Sequence, residues 1–146
     1  MKYKLNGRKL EFTFGEAIYQ EIDDSYEKDI YLNGEFTNYA ITMKGSVISY
    51  AGKNNYKGRK LSPYISKKEK RIIGNLVVNK ERYSFSVDRL VTEAFLLDAP
   101  EESVEIIYLD DDFSNVNVEN LLCILPDGTE IFYENGVRKI EKINSV

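Results

Sequence analysis

Three Asn-Gly pairs constrain the chain most: Asn6-Gly7, Asn33-Gly34 and Asn135-Gly136. Each lies between runs in which apolar and polar residues alternate, in "KYKLNGRKLEF", "DIYLNGEFTNYAI" and "EIFYENGVRKIEKI". A two-residue hairpin turn of the I′ type needs positive φ at both central positions, which Asn and Gly adopt at little cost. Alternation gives each flanking strand one core face and one solvent face. The pairs therefore predict three antiparallel hairpins. Asp127-Gly128, just after Pro126, predicts a further turn. The spacing is irregular, so the hairpins do not form a repeat.

Between the first two hairpins, Ala17, Ile18 and Ile22 suggest a short helix. Tyr39, Ile41, Val47 and Ile48 give short strands around a turn at Lys44-Gly45. "AGKNNYKGRK" reads as an exposed loop. "RIIGNLVVNKERYSFSV" reads as two strands connected by Asn79, Lys80 and Glu81. In "SFSVDRLVTEAFLL", Val87, Leu90, Val91, Ala94 and Phe95 share one helical face. That predicts a helix at about residues 86–97, with Ser86 as N-cap and Asp88 near the positive end of its dipole. After Pro100 come a buried-type strand, "VEIIYL", an Asp/Asn loop, and "ENLLCIL". The expected class is α+β, with short antiparallel strands and hairpins around one main helix. The segments are a hairpin and short helix at 1–38, a central region at 39–125, and a C-terminal hairpin at 126–146 packed on that region.

Composition narrows the chemistry. A chain of 146 residues suits one domain and can bury a core without staples. The single cysteine, Cys123, lies among Leu121, Leu122 and Ile124 and is expected to be a buried thiol. No apolar run approaches the roughly 20 residues of a membrane span, and the N-terminus lacks a signal-like apolar stretch. The expectation is a soluble, cytoplasmic protein without membrane partners. Charge is strongly partitioned. Residues 39–89 carry 12 basic and 3 acidic side chains, a net of +9, whereas residues 90–146 carry 3 basic and 13 acidic ones, a net of −10. Either these halves neutralise each other within one fold, or they give a basic face for an anionic partner and an acidic face for something else.

The chain has no histidine. Ser-His and Cys-His pairs are therefore excluded. There is no phosphate-binding "GxxxxGK[ST]" loop, and no cofactor is expected. Asp110, Asp111 and Asp112 are the one hard-cation candidate. As a calcium loop they fail, because the sixth position is Asn115 and the twelfth is Leu121. The favoured reading is a solvated, locally capped loop, ahead of a protein-contact surface or a metal site.

Four segments in order resemble a nuclease-associated modular domain joined to an HNH core, as in phage homing endonucleases. They are "YAITMKGSVIS", "GRKLSP", "VDRLVTEAF" and "YLDDDFSNVNVENL", spanning about Tyr39 to Ile124. The resemblance implies a degenerate ββα-metal-like core. It also implies a histidine where Asp88 stands and a water-activating histidine where Tyr108 stands. Ile107 replaces a residue that is often polar. Asn115 and Asn120 match structural loop residues of the family. A metal-binding helix normally follows; here "CILPDGTEIFYENG" follows instead. A base that works near neutral pH suits histidine, whereas the ordinary tyrosine pKa is about 10. No catalytic residue and no metal ligand are therefore assigned, and nuclease activity of this type is expected to be absent.

What remains is binding. Lys53, Lys57, Arg59, Lys60, Lys67, Lys68, Lys70 and Arg71, with Tyr56 and Tyr64 interleaved, are the candidate DNA contacts. The alternative is a phage-type module that regulates a host or phage nucleic-acid enzyme through Glu101, Glu102, Glu105, Asp110, Asp111 and Asp112. If phage-encoded, the protein would work in the host cytoplasm.

Overall fold

The computed structural model describes residues 10–11, 26–50, 58–97 and 103–142. The Asn6-Gly7 turn and the helix expected around Ala17, Ile18 and Ile22 lie outside these residues. So do Lys53, Tyr56, Lys57, Glu101 and Glu102.

The described residues form twelve strands: β1 (Leu10–Glu11), β2 (Glu27–Leu32), β3 (Glu35–Thr42), β4 (Val47–Ser49), β5 (Arg59–Lys60), β6 (Tyr64–Ser66), β7 (Arg71–Val78), β8 (Glu81–Ser86), β9 (Glu105–Tyr108), β10 (Leu121–Ile124), β11 (Glu130–Glu134) and β12 (Val137–Glu141). They form three antiparallel sheets, ordered β1-β2-β3-β4-β5, β6-β7-β8 and β12-β11-β10-β9. β3 spans the expected segment boundary at residue 38.

The turn chemistry works as the sequence requires. Asn33 and Gly34, at φ 52° and 79°, join β2 to β3. Asn135 and Gly136, at φ 53° and 77°, join β11 to β12. Asn79 and Lys80 make a third two-residue turn at φ 52° and 67°. The sequence places Glu81 in that connection as well, but it pairs with Val78 as the first residue of β8, because two residues suffice for the turn. Arg59 and Lys60 likewise leave the expected loop and pair with β4 at a sheet edge.

The helix differs most from expectation. Only Val87–Val91 is α-helical (α1), and Thr92–Leu96 continues it as a wider π turn. The Leu97 N–H reaches the Thr92 carbonyl, five residues back, at 3.1 Å. Ser86 starts the helix with extended backbone, φ −108° and ψ 140°, but its side chain makes no cap. The Arg89 N–H at that end is taken instead by the Asp88 carboxylate, at 2.7 Å. Two cations from other sheets hold the far end. Lys28 Nζ donates to the Ala94 carbonyl at 2.8 Å, and Arg138 Nε donates to the Leu96 carbonyl at 2.7 Å. Burial, followed by the nearby Arg138 charge, holds the Lys28 pKa below the ordinary lysine value.

So short a helix cannot organise the molecule, and the layers are mostly sheet. The core is built from Ile30, Ile41, Met43 and Val47 of the first sheet region, Leu76, Tyr83 and Phe85 of the second, and Leu121, Cys123, Ile131 and Tyr133 of the third. The helical Leu90, Val91, Ala94 and Leu96 join them. Cys123 is buried and outside any disulfide. No described helix is long and apolar enough to cross a membrane.

Candidate functional site

Asp88 and Tyr108, the two positions where the resemblance calls for histidine, touch each other. Asp88 opens α1 and is 1% exposed. Tyr108 ends β9 and donates its hydroxyl to Asp88 Oδ2 at 2.6 Å. Arg71, the first residue of β7, places Nε 3.2 Å from the same oxygen. The other carboxylate oxygen takes the Arg89 N–H. Three elements thus converge on one buried carboxylate. Burying a charge costs several kcal/mol unless it is paired and hydrogen-bonded, and here it is both. Arg71 is correspondingly turned inward, with its side chain 18% exposed.

The loop after β9 is also wired to itself. Asp110 Oδ1 accepts from the Asp112 N–H and from Asn120 Nδ2, each at 2.8 Å. Its Oδ2 accepts from Asn115 Nδ2 at 2.8 Å. Asn120 also receives the Asp110 N–H at 3.0 Å and donates to the Asn115 carbonyl at 2.8 Å. Asp112 Oδ1 accepts the Ser114 N–H at 3.0 Å. These are Asx-type caps, and Asp111 stands at φ 61° between them. Among the described residues, no three of histidine, cysteine, aspartate and glutamate gather where a metal could be held.

The loop should respond to acid. The Asn115 side chain first, then the Asp112 backbone, hold the Asp110 carboxyl below its ordinary value of 3.8. A carboxylate whose folded pKa is depressed contributes order above its unfolded pKa and loses it as pH falls through the folded one. The Asn115 and Asn120 side-chain amide resonances should therefore hold constant above pH 4 and move only below about 3.8, the unfolded value. Asp110→Asn should abolish that acid step. A step that persists in the variant would assign it to another carboxylate.

The described candidate basic residues are scattered over two sheets. Lys67, Lys68 and Lys70 share the exposed turn between β6 and β7. Arg59 and Lys60 are exposed on β5, at the edge of a different sheet. Arg71 belongs to the Asp88 cluster. The β6-β7-β8 register adds groups that the sequence reading did not single out. Asn75 pairs with Ser84 and Val77 with Arg82, and all four are exposed on the side opposite core residues Leu76, Tyr83 and Phe85. Tyr64, 59% exposed, pairs with Ile73 and has the same facing. The alternation of Arg82, Tyr83, Ser84 and Phe85 already encoded part of this face, whereas Ile72-Ile73 and Val77-Val78 break it on β7. The described acidic candidates do not form one row. Glu105 begins β9, whereas Asp110, Asp111 and Asp112 follow its other end, past a strand about 10 Å long.

No family model matches the sequence, and no curated protein matches it. Among solved structures, the chain is similar to the HNH homing endonuclease I-HmuI, described for its DNA binding and cleavage. The match has a TM-score of 0.50 and 25% identity, and covers 61% of this chain and 47% of that one. The chain thus spans about half the length of that protein. The likeness supports an HNH-like fold, here mostly antiparallel sheet with one short helix.

Proposed function

We propose that the protein binds nucleic acid on an HNH-endonuclease-like scaffold and does not cleave it. The observation that carries the binding half is the exposed turn of Lys67, Lys68 and Lys70 and the exposed Tyr64 on the strand leading into it, with Asn75, Ser84 and Arg82 exposed further along the same sheet, on a fold similar to a DNA-binding endonuclease. Ammonium groups on such a turn can neutralise phosphates, and an exposed tyrosine can stack on a base or sugar. Asn and Arg are the side chains that pair bidentately with base edges. The non-cleaving half rests on the Tyr108–Asp88 hydrogen bond. Both positions at which the resemblance implies histidine, the water-activating one at Tyr108 among them, are engaged with each other in a cluster that supplies no imidazole.

Purified protein titrated into a labelled random-sequence duplex should show anisotropy that rises at low salt and collapses toward physiological salt. A parallel incubation with magnesium should leave the duplex intact. Replacing Lys67, Lys68 and Lys70 together by alanine should reduce the slope of log K against log salt by about 2 to 3, roughly 0.9 per lost phosphate contact. Absence of binding at low salt would sink the binding reading. Reproducible metal-dependent cleavage would sink the non-cleaving one.

A further inference from the structure

We propose that the outward face of the β9-β12 sheet is a second interaction surface, fitted to a protein that presents lysine or arginine around apolar side chains. The sequence of these strands first points there. β9 reads Glu-Ile-Ile-Tyr and β10 reads Leu-Leu-Cys-Ile, apolar on both sides of the pleat. Strands of that kind belong to sheets covered on both faces, whereas a sheet with one wet face alternates. Here one face is covered by the protein's own core. Leu121, Cys123, Ile131 and Tyr133 are part of that core, and Ile106 and Tyr108 pack against it.

The register defines the other face. Ile107, Leu122 and Phe132 lie directly opposite one another across three strands, and the row ends at Lys139 on β12. All three apolar side chains are half-buried and stand outside the core cluster. Leu109 follows β9 directly, in the turn that the Asp111 N–H closes on the Tyr108 carbonyl, donates its own N–H to the Asn120 carbonyl, and is 56% exposed. The neighbouring row is Glu105, Ile124, Glu130 and Glu141. Glu134, beyond the apolar row, holds Lys139 Nζ at 2.6 Å. An apolar strip is thus rimmed by four glutamates and one lysine that is already paired.

That charge pattern selects the occupant. A second copy of this face would bring the glutamate rims of both copies together across a desolvated contact, which repels. Nucleic acid and anionic lipid surfaces are repelled for the same reason. A basic protein surface with apolar groups between its cations meets both the strip and the rim. This face belongs to a different sheet from the lysine turn and has the opposite charge, so it does not depend on the nucleic-acid reading.

The test uses the full chain and two synthetic peptides of equal charge, one alternating lysine with valine and one alternating lysine with glycine. The lysine-valine peptide should bind about tenfold more tightly by calorimetry, because only it fills the apolar strip. Phe132→Ser should remove that advantage. Leu109→Ser, at an exposed position where folding is not at stake, should weaken the same peptide and leave the lysine-glycine one unchanged. Equal affinity for the two peptides, or wild-type binding by both variants, would overturn the proposal. So would a dimer in sedimentation equilibrium that dissociates on Leu109→Ser, since the occupant would then be a second copy.

Discussion

Asp88→Ala should lower the unfolding free energy by about 3 kcal/mol in a urea titration at neutral pH, a large fraction of a domain's stability. The carboxylate is 1% exposed and receives the Tyr108 hydroxyl, the Arg71 Nε and the Arg89 N–H. Its removal takes a charged acceptor from a partly buried guanidinium and a phenol at once, which costs more than the two bonds contribute. Tyr108→Phe removes one hydrogen bond to a charged acceptor and should cost about 1.5 kcal/mol. Asp88→Asn keeps an acceptor for Tyr108 but loses the charge opposite Arg71, so it should fall between the two. The double variant Asp88→Ala/Tyr108→Phe should cost less than the sum, because the partners share one network. An Asp88→Ala cost below about 1 kcal/mol would mean that the cluster is not a coupled buried ion pair.

That cluster also marks where sequence reading stopped. Asp88 and Tyr108 are 20 residues apart and Arg71 lies further back, on a different strand. Asp88 and Tyr108 were each legible alone as a departure from a histidine position, and Arg71 only as a candidate DNA contact. Their contact depends on how β9 and β7 meet the start of α1, and pairing rules local to the chain do not contain it. The aspartate loop was the opposite case. Asp110, Asn115 and Asn120 bond within ten residues, so local Asx chemistry was sufficient to identify them as structural.

Hairpins were legible for a similar reason. Asn33-Gly34 and Asn135-Gly136 carry their backbone preference in two residues. Lys80 at φ 67° was not legible, because lysine has no preference for that region and the strands on either side impose it. The helix was legible in place but not in kind. The apolar positions from Val87 to Phe95 fit a helical stripe, yet the second half widens into a π turn. Its carbonyls are held by Lys28 and Arg138, and those contacts come from β2 and β12, far away in sequence.

Gly45→Ala should be comparably damaging, costing about 3 kcal/mol, and it tests a different joint of the fold. Gly45 follows β3 at φ 86°, a left-handed conformation that penalises any side chain by about 1 kcal/mol or more. Space is the larger obstacle. A methyl group on Gly45 would fall 2.3 Å from Val116 Cγ2 and 3.1 Å from the Val116 carbonyl oxygen. Real carbon contacts do not come that close, so the turn or the loop must move. Neither is free to do so, because the Val118 N–H bonds the Met43 carbonyl at 2.8 Å and the Gly45 N–H bonds the Thr42 carbonyl at 3.0 Å. The turn is therefore clamped against the stretch that carries Asn115, Asn117 and Asn120. Val116→Ala supplies the control. It deletes the methyl at 2.3 Å and leaves the Val116 Cβ and carbonyl oxygen at 3.1 Å, so Gly45→Ala should cost about 1 to 2 kcal/mol in that background, the backbone penalty and a mild residual crowding. An equal cost in both backgrounds would place the whole effect in the backbone and leave no steric clamp between the two segments. A reduced cost, together with amide shifts at Asn115 and Asn120 in the single variant, would identify the glycine as the point where the first sheet fixes the position of the aspartate loop.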